Sequence, residues 1–351
     1  MWLFEAKKKK RGGRTEKKNG AGNLFRGGGG RTAADSCFAA EEKFGKGQKG
    51  GQERRGWRGA TEEMIICGGF APAFPFPRTK PTDFTKIQVG DGAMRQNLVR
   101  ASELRKALDQ ALKSKDAAQV ADAADAYLPF AVGIWRAMEQ GQTKDGRSLS
   151  FGLAFEWTSF TFRKPEKSFT LYSLRFEVMM VLICRMIAAG NTGASLLEAV
   201  QSPAEYETTA KAALQHVKTA AGIGTFVANE IQPLKEVLPF ERPAEVHRDL
   251  MSCIVILYQA AGQSIACRQA QNKGMSQQLV AKLFAAAAKL MASANLLLQG
   301  DSLKNDYKDL APPLKCWADG GSKLLKAVAL QYVAEAAHRY VSREAMHCYC
   351  T

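Results

Sequence analysis

The sequence predicts a mainly α-helical, solenoid-like fold, and three observations carry this prediction. Apolar residues make up 46% of the 351 residues against 24% charged residues, with many Ala and Leu, which is typical of a soluble helical protein. Apolar residues recur at helical spacing in seven long segments after residue 93. Short links separate these segments, and most links contain proline. Successive long helices with short links pack as antiparallel hairpins, which stack into a solenoid.

Residues 1–63 are predicted to be a disordered basic extension. They hold 16 Lys and Arg against 8 Asp and Glu, and 14 of the 31 glycines, so they lack the apolar residues of a core. Basic runs at 7–11 (KKKKR) and 54–59 (RRGWRG) suit an RGG-like RNA-binding tail or a nuclear-localisation signal. A solvated extension without function is the alternative, with Met64 as an alternative first residue.

Residues 64–92 are predicted to form an extended arm. The segment from Phe70 to Pro81 contains four prolines, including Pro81. Each proline fixes its own φ and biases the preceding residue away from the helical region. The phenylalanines of this arm therefore require an apolar docking site on the domain that follows.

Residues 93–351 are predicted to be one helical domain. Segments 94–115 and 117–140 form a first hairpin, and apolar and polar residues then alternate from Leu149 to Thr158 with the period of a half-buried strand. This is the only clear strand signal in the sequence. Five further helices are predicted at 168–190, 204–231, 245–271, 276–299 and 314–346.

The sequence predicts neither an enzyme nor a cofactor or metal site. Its four histidines are isolated, and it contains no HExxH, GxSxG or P-loop motif. The eight cysteines show no paired CxxC spacing, which indicates reduced thiols of a cytosolic protein. The chain does not begin with a signal-peptide pattern, and its most apolar run, residues 178–189, is shorter than a membrane span.

The predicted helix at 276–299 has more apolar surface than one buried face requires. Val280, Phe284, Ala287 and Met291 form a core stripe, with Leu279, Leu283 and Leu290 on its flank. Burial on two sides explains this pattern, and so does an amphipathic partner helix in a groove. Glu207 and Lys211, one turn apart on another predicted helix, form either a solvated pair or a charged rim.

In their order along the chain, these segments resemble the BRO domain of Alix and related endosomal-sorting proteins. The likeness begins near Phe70 and includes the stand-alone BRO proteins of plants and animals. The motifs that carry it are 80–84 (KPTDF), 124–129 (ADAYLP), 155–160 (FEWTSF), 171–182 (LYSLRFEVMMVL), 219–223 (TAAGI) and 315–317 (KCW).

This resemblance implies a curved, banana-shaped domain with a tetratricopeptide-like helical core and a small sheet. It further implies a scaffold that binds the C-terminal amphipathic helix of ESCRT-III subunits, the charged multivesicular body proteins. Leu279, Leu283 and Ala266 are the implied apolar anchors, and Glu207 and Lys211 are the implied rim. Alix has a large aromatic residue at the position of Ala266, so weaker binding is expected here.

The resemblance also raises two expectations for the C-terminus. Family domains continue with at least one more helix, so this domain is expected to be shortened. Cys348 lies four residues from the end, as prenylation requires, and a single lipid would support only marginal association with endosomal membranes. Cys350 and Thr351 are atypical of a prenylation box, so coincidence is the alternative.

Overall fold

The computed structural model describes residues 72–87, 92–140, 153–163, 167–231 and 241–350. Within these ranges the side chains of residues 139–140, 230–231 and 343–350 are not described. All described residues belong to one unit of the chain, Trp57–Thr351. The predicted basic extension at 1–63 and the beginning of the arm lie outside the described residues.

The described ranges contain eight α-helices and a two-stranded antiparallel sheet. Each long helix from α1 to α6 packs on the next along the chain, and α8 packs on α6. The predicted fold class is confirmed. In chain order the elements are α1 (Gly92–Ser114), α2 (Ala117–Gln140), β1 (Phe155–Thr158), β2 (Ser168–Leu171), α3 (Leu174–Glu198), α4 (Pro203–Phe226), α5 (Arg248–Asn272), α6 (Gln277–Leu298), α7 (Lys304–Tyr307) and α8 (Pro312–Cys350).

Side-chain caps set where the central helices begin. The hydroxyls of Ser173, Ser202 and Ser276 accept from backbone N–H groups in the first turns of α3, α4 and α6. His247 caps α5 in the same way, through its Nδ1 and the N–H of Asp249. Each cap satisfies a donor that has no partner inside the helix. For α4, α5 and α6, these residues explain why the helices begin within three residues of the predicted positions 204, 245 and 276.

The prediction of a helix from residue 168 is wrong. Ser168–Leu171 is strand β2, which pairs antiparallel with β1 so that Phe155 faces Leu171 and Thr158 faces Ser168. The helix begins only at Leu174, after the Ser173 cap. Pairing with a strand that lies earlier in the chain overrides the local helical pattern here.

Phe74 anchors the arm to the helical domain. Its ring lies edge-on to the rings of Phe160, Tyr258 and Trp317, with centroid distances of 5.3, 5.9 and 6.3 Å. The side chain of Asn191 accepts from the Phe74 N–H at 3.0 Å and donates to its carbonyl oxygen at 2.9 Å. The arm phenylalanine thus docks on residues from the loop after β1 and from α5 and α8, and its backbone is held by α3.

Three helices, α3, α5 and α6, are long and apolar enough to cross a membrane by length and composition alone. The apolar run at 178–189 is thus part of a longer apolar helix, since α3 has 25 residues. In the structure 72% of the apolar window of α3 and 61% of that of α5 are buried inside the protein. Packing against neighbouring helices accounts for their hydropathy. Only 39% of the apolar window of α6 is buried, so part of the apolar surface of this helix remains exposed.

Candidate functional site

Three helix ends bring the predicted binding residues into one region. Helix α5 packs on both α4 and α6. Helix α5 is therefore the middle helix, and Ala266 lies in its last turns. Glu207 and Lys211 lie on α4 on one side of it, and Leu279 and Leu283 lie on α6 on the other side. We call these five residues the α4–α5–α6 surface.

Side-chain contacts hold these helix ends together. The Tyr206 hydroxyl of α4 donates to the carbonyl oxygen of Ile265 at 3.5 Å, and Gln263 Nε2 donates to the carbonyl oxygen of Leu283 at 3.4 Å. Burial raises the pKa of Tyr206 to about 12, so its hydroxyl remains a donor at neutral pH. Ile265 and Cys267 are buried while Ala266 between them is partly exposed. A small side chain therefore faces outward from the middle helix.

The predicted ion pair between Glu207 and Lys211 does not form. Glu207 Oε1 instead lies 2.7 Å from Nζ of Lys273, and these side chains are 43% and 50% exposed. An ion pair this exposed contributes at most about 1 kcal/mol of stability. Lys211 is exposed beside it. The cation next to Glu207 is therefore Lys273, which the sequence analysis missed.

A helix-stop signal marks the position of Lys273. It is the C-cap of α5 and precedes Gly274, whose φ of 61° is in the left-handed region. The Met275 N–H then donates to the carbonyl oxygen of Ala270 at 3.0 Å, which is the long bond of a Schellman motif. A lysine next to such a glycine could have been placed at the helix end from sequence.

The apolar part of the surface comes from the start of α6. Val280, Phe284, Ala287 and Met291 are buried, which confirms the predicted core stripe. On the flank Leu279 is 41% exposed, and Leu283 is partly buried against the core. Met275, in the loop before α6, is 45% exposed and was not predicted. Together these side chains offer apolar contact beside charged residues.

The described residues show no arrangement suited to metal binding, since they contain no group of three or more His, Cys, Asp or Glu that could hold an ion. Burial raises the pKa of the Cys253 and Cys267 thiols to about 12, so both are neutral thiols and poor nucleophiles. The backbone of Cys348 lies in the last turn of α8. Its side chain is outside the described part, so its lipidation stays a prediction.

Comparison with known proteins identifies the family of this chain. The model of the BRO1-like domain matches residues 100–340. The chain belongs to the BRO1-like domain family. No curated protein matches it in sequence.

Solved BRO1 structures share the fold. The structure of the ALIX BRO1–CHMP4C complex has 17% sequence identity and a TM-score of 0.58, over 78% of this chain and 75% of that one. A Bro1 domain solved for its role in endosomal targeting has 13% identity and a TM-score of 0.56, over 77% and 71%. ALIX in complex with the SIVmac239 PYKEVTEDL late domain has 18% identity and a TM-score of 0.52, over 78% and 42%. At sequence identities of 13–18%, this likeness shows that the fold is shared and nothing more.

Proposed function

We propose that this chain is a non-enzymatic adaptor of endosomal sorting that binds the C-terminal amphipathic helix of an ESCRT-III subunit on the α4–α5–α6 surface. The observation that carries the proposal is the exposed apolar start of α6, with Leu279 at 41% exposure next to charged residues of α4 and α5. Membership of the BRO1-like family supports it, as does the shared fold with the ALIX BRO1–CHMP4C complex. This function implies a cytoplasmic protein that associates peripherally with endosomal membranes.

The exposed side chains suit an amphipathic helix. Its apolar face would cover Leu279 and Met275, and full burial of such a side chain contributes about 1.5–3 kcal/mol. Ala266 on the middle helix adds little area but allows close approach. Lys211 and Lys273 would then lie near acidic residues at the edge of the bound helix, and Glu207 near a basic one. Charges at such an edge favour one orientation of the partner.

The decisive experiment compares two aspartate variants on α6. Leu279→Asp should weaken binding of a CHMP4C C-terminal helix peptide at least about tenfold, because a carboxylate would be desolvated without a partner. Leu296→Asp is the matched control, since Leu296 is 72% exposed on the same helix but lies outside the proposed surface. Leu283→Asp should abolish binding, although its partial burial makes a folding check necessary.

Fluorescence anisotropy with the labelled peptide gives the affinities, and circular dichroism confirms that each variant folds. Unchanged affinity in a folded Leu279→Asp variant would place the peptide elsewhere. Equal losses in Leu279→Asp and Leu296→Asp would show a nonspecific charge effect.

The basic extension gives the alternative class of function, RNA binding. Deleting residues 1–63 removes 16 Lys and Arg against 8 Asp and Glu, so nucleic-acid affinity should collapse while peptide affinity stays unchanged. Any RNA binding before the deletion should fall steeply with added salt, because counterion release drives it. Specific RNA binding by the shortened chain would favour the RNA-binding class over the adaptor.

A further inference from the structure

A pocket of about 520 Å³ lies between the arm, the end of α1 and strands β1 and β2. A cavity of this volume can hold a small molecule. Backbone pairing fixes the arm along its side, because the Arg78 N–H donates to Thr158 Oγ1 at 2.7 Å and the Thr158 N–H donates to the Arg78 carbonyl oxygen at 2.8 Å. None of its described lining comes from α8 or from the α4–α5–α6 surface. We call this cavity the arm pocket.

Positive charge exceeds negative charge in the arm pocket. Its described lining contains two acids and four cations, and the cations are Arg78, Lys80, Lys113 and Lys115. Within the part of the chain that the structure describes, Arg78 and Lys115 form no ion pair. A ligand with a phosphate group would therefore meet two cations that have no carboxylate partner, and such charge-assisted hydrogen bonds are among the strongest in proteins.

The two acids of the arm pocket orient the other two cations. Asp109 Oδ2 lies 2.6 Å from Nζ of Lys113, and Glu156 Oε2 lies 2.7 Å from Nζ of Lys80. An ammonium group has three donors, so each lysine keeps donors for a ligand while its carboxylate holds it in place. The hydrogen bond from Lys80 lowers the pKa of Glu156 below its ordinary 4.5. Its carboxylate is therefore ionised at neutral pH and can also accept from a ligand hydroxyl.

Lys115 has an unfavourable backbone conformation. It directly follows the last residue of α1, and its φ of 61° is the one left-handed value among the described residues other than glycine. Helices commonly end in this conformation with glycine, because a Cβ raises its energy. Residues held in such conformations are concentrated at functional sites. A lysine at this position indicates that its ammonium has a function in the arm pocket.

The mixture of charges selects the ligand. A nucleic-acid strand would bring successive phosphates close to Asp109 and Glu156, and Trp157 in the pocket floor is fully buried, so its ring cannot stack on a base. A phosphorylated polyol suits both kinds of charge, because its phosphates accept from the cations and its hydroxyls donate to the carboxylates. We propose that the arm pocket binds a phosphorylated polyol of the inositol phosphate class, as a soluble compound or as the headgroup of a lipid.

The test is isothermal titration calorimetry of the full chain with inositol trisphosphate, inorganic phosphate and myo-inositol. Inositol trisphosphate should bind at least about tenfold more tightly than inorganic phosphate, because it makes more charge-assisted hydrogen bonds. Myo-inositol should show no measurable binding, since it lacks phosphate. Inorganic phosphate that binds as tightly as inositol trisphosphate would overturn the assignment of a polyol.

Lys115→Gly separates binding from folding. It should weaken binding of inositol trisphosphate at least about tenfold, because a charge-assisted hydrogen bond is lost. It should not lower the thermal stability, because glycine adopts positive φ without strain. Lys106→Ala is the matched control, since Lys106 is exposed on α1 but is not among the described lining. Wild-type affinity in Lys115→Gly, or equal losses in both variants, overturns the proposal and assigns the binding to the basic extension at 1–63 or to nonspecific charge.

Vesicle sedimentation distinguishes the two sources of the ligand. Phosphatidylcholine vesicles are compared with and without phosphatidylinositol bisphosphate. Sedimentation that requires this lipid, and that Lys115→Gly weakens, identifies a lipid headgroup. Binding of inositol trisphosphate without such sedimentation identifies a soluble ligand. Affinity for the CHMP4C peptide should be the same in Lys115→Gly as in wild type, so the arm-pocket proposal and the ESCRT-III proposal fail separately.

Discussion

Glu177 of α3 offers the sharpest test of what holds the domain together. Its side chain is fully buried, and its carboxylate accepts from Trp157 Nε1 at 2.6 Å and from the Tyr127 hydroxyl at 3.1 Å. Nε of Arg105 lies 2.5 Å from the same carboxylate, with both side chains at 0% exposure. The Arg105 guanidinium also lies 4.7 Å from the centroid of the Trp157 ring. One carboxylate thus joins α1, α2, β1 and α3.

We predict that Glu177→Gln lowers the free energy of unfolding by about 3–5 kcal/mol. The amide keeps the shape, but only its one oxygen can accept, so one of the two donors, Trp157 or Tyr127, would face an NH2 group. Arg105 also becomes a buried charge without a counter-ion, which accounts for most of this cost. A loss of this size is a large fraction of the ~5–15 kcal/mol that stabilises a typical domain. Glu156→Gln is the matched control on β1. Its partner Lys80 is 71% exposed, so the control should lose at most about 1 kcal/mol.

Urea unfolding followed by circular dichroism measures both variants. A loss below about 1 kcal/mol for Glu177→Gln would refute the role of the buried charge. Replacing both partners, as Arg105→Met with Glu177→Leu, should recover much of the loss because no charge is then buried. A double variant as unstable as Glu177→Gln would assign the cost to the hydrogen bonds of Trp157 and Tyr127 instead.

Three other outcomes are expected. In thermal unfolding, Gly190→Ala should destabilise the domain by about 1–3 kcal/mol, because a Cβ there would lie 2.4 Å from the Tyr258 ring. A Cβ at Gly222 would meet no atom within 4 Å, so Gly222→Ala should stabilise α4 by up to about 1 kcal/mol in the same assay. Burial raises the pKa of Glu245 above its ordinary 4.5, so the stability it contributes is present below that value and lost as pH rises through its folded pKa. The stability of Glu245→Gln relative to wild type should therefore increase as pH rises above about 4.5 in urea titrations. Lys211→Glu should weaken binding of the CHMP4C peptide by about 1–3 kcal/mol in calorimetric titrations if Lys211 borders the bound helix, and an affinity within error of wild type would make Lys211 a solvated surface residue.

The sequence by itself determined the helices and the core stripe of α6. Apolar spacing and capping are local properties, so residues 276–299 predicted a helix that the structure has as Gln277–Leu298. The same spacing predicted that Val280, Phe284, Ala287 and Met291 are buried. It also left Leu279, Leu283 and Leu290 on the flank, because side chains three or four residues apart share a helix face.

Contacts between distant segments were decided only by the tertiary structure. Strand β2 exists because Ser168–Leu171 pairs with β1, which lies earlier in the chain. Glu207 meets Lys273, 66 positions along the chain, and not Lys211 one turn away, since the packing of α4 on α5 sets which cation is near. Periodicity shows which face of each helix is apolar, but only packing shows which apolar faces remain uncovered.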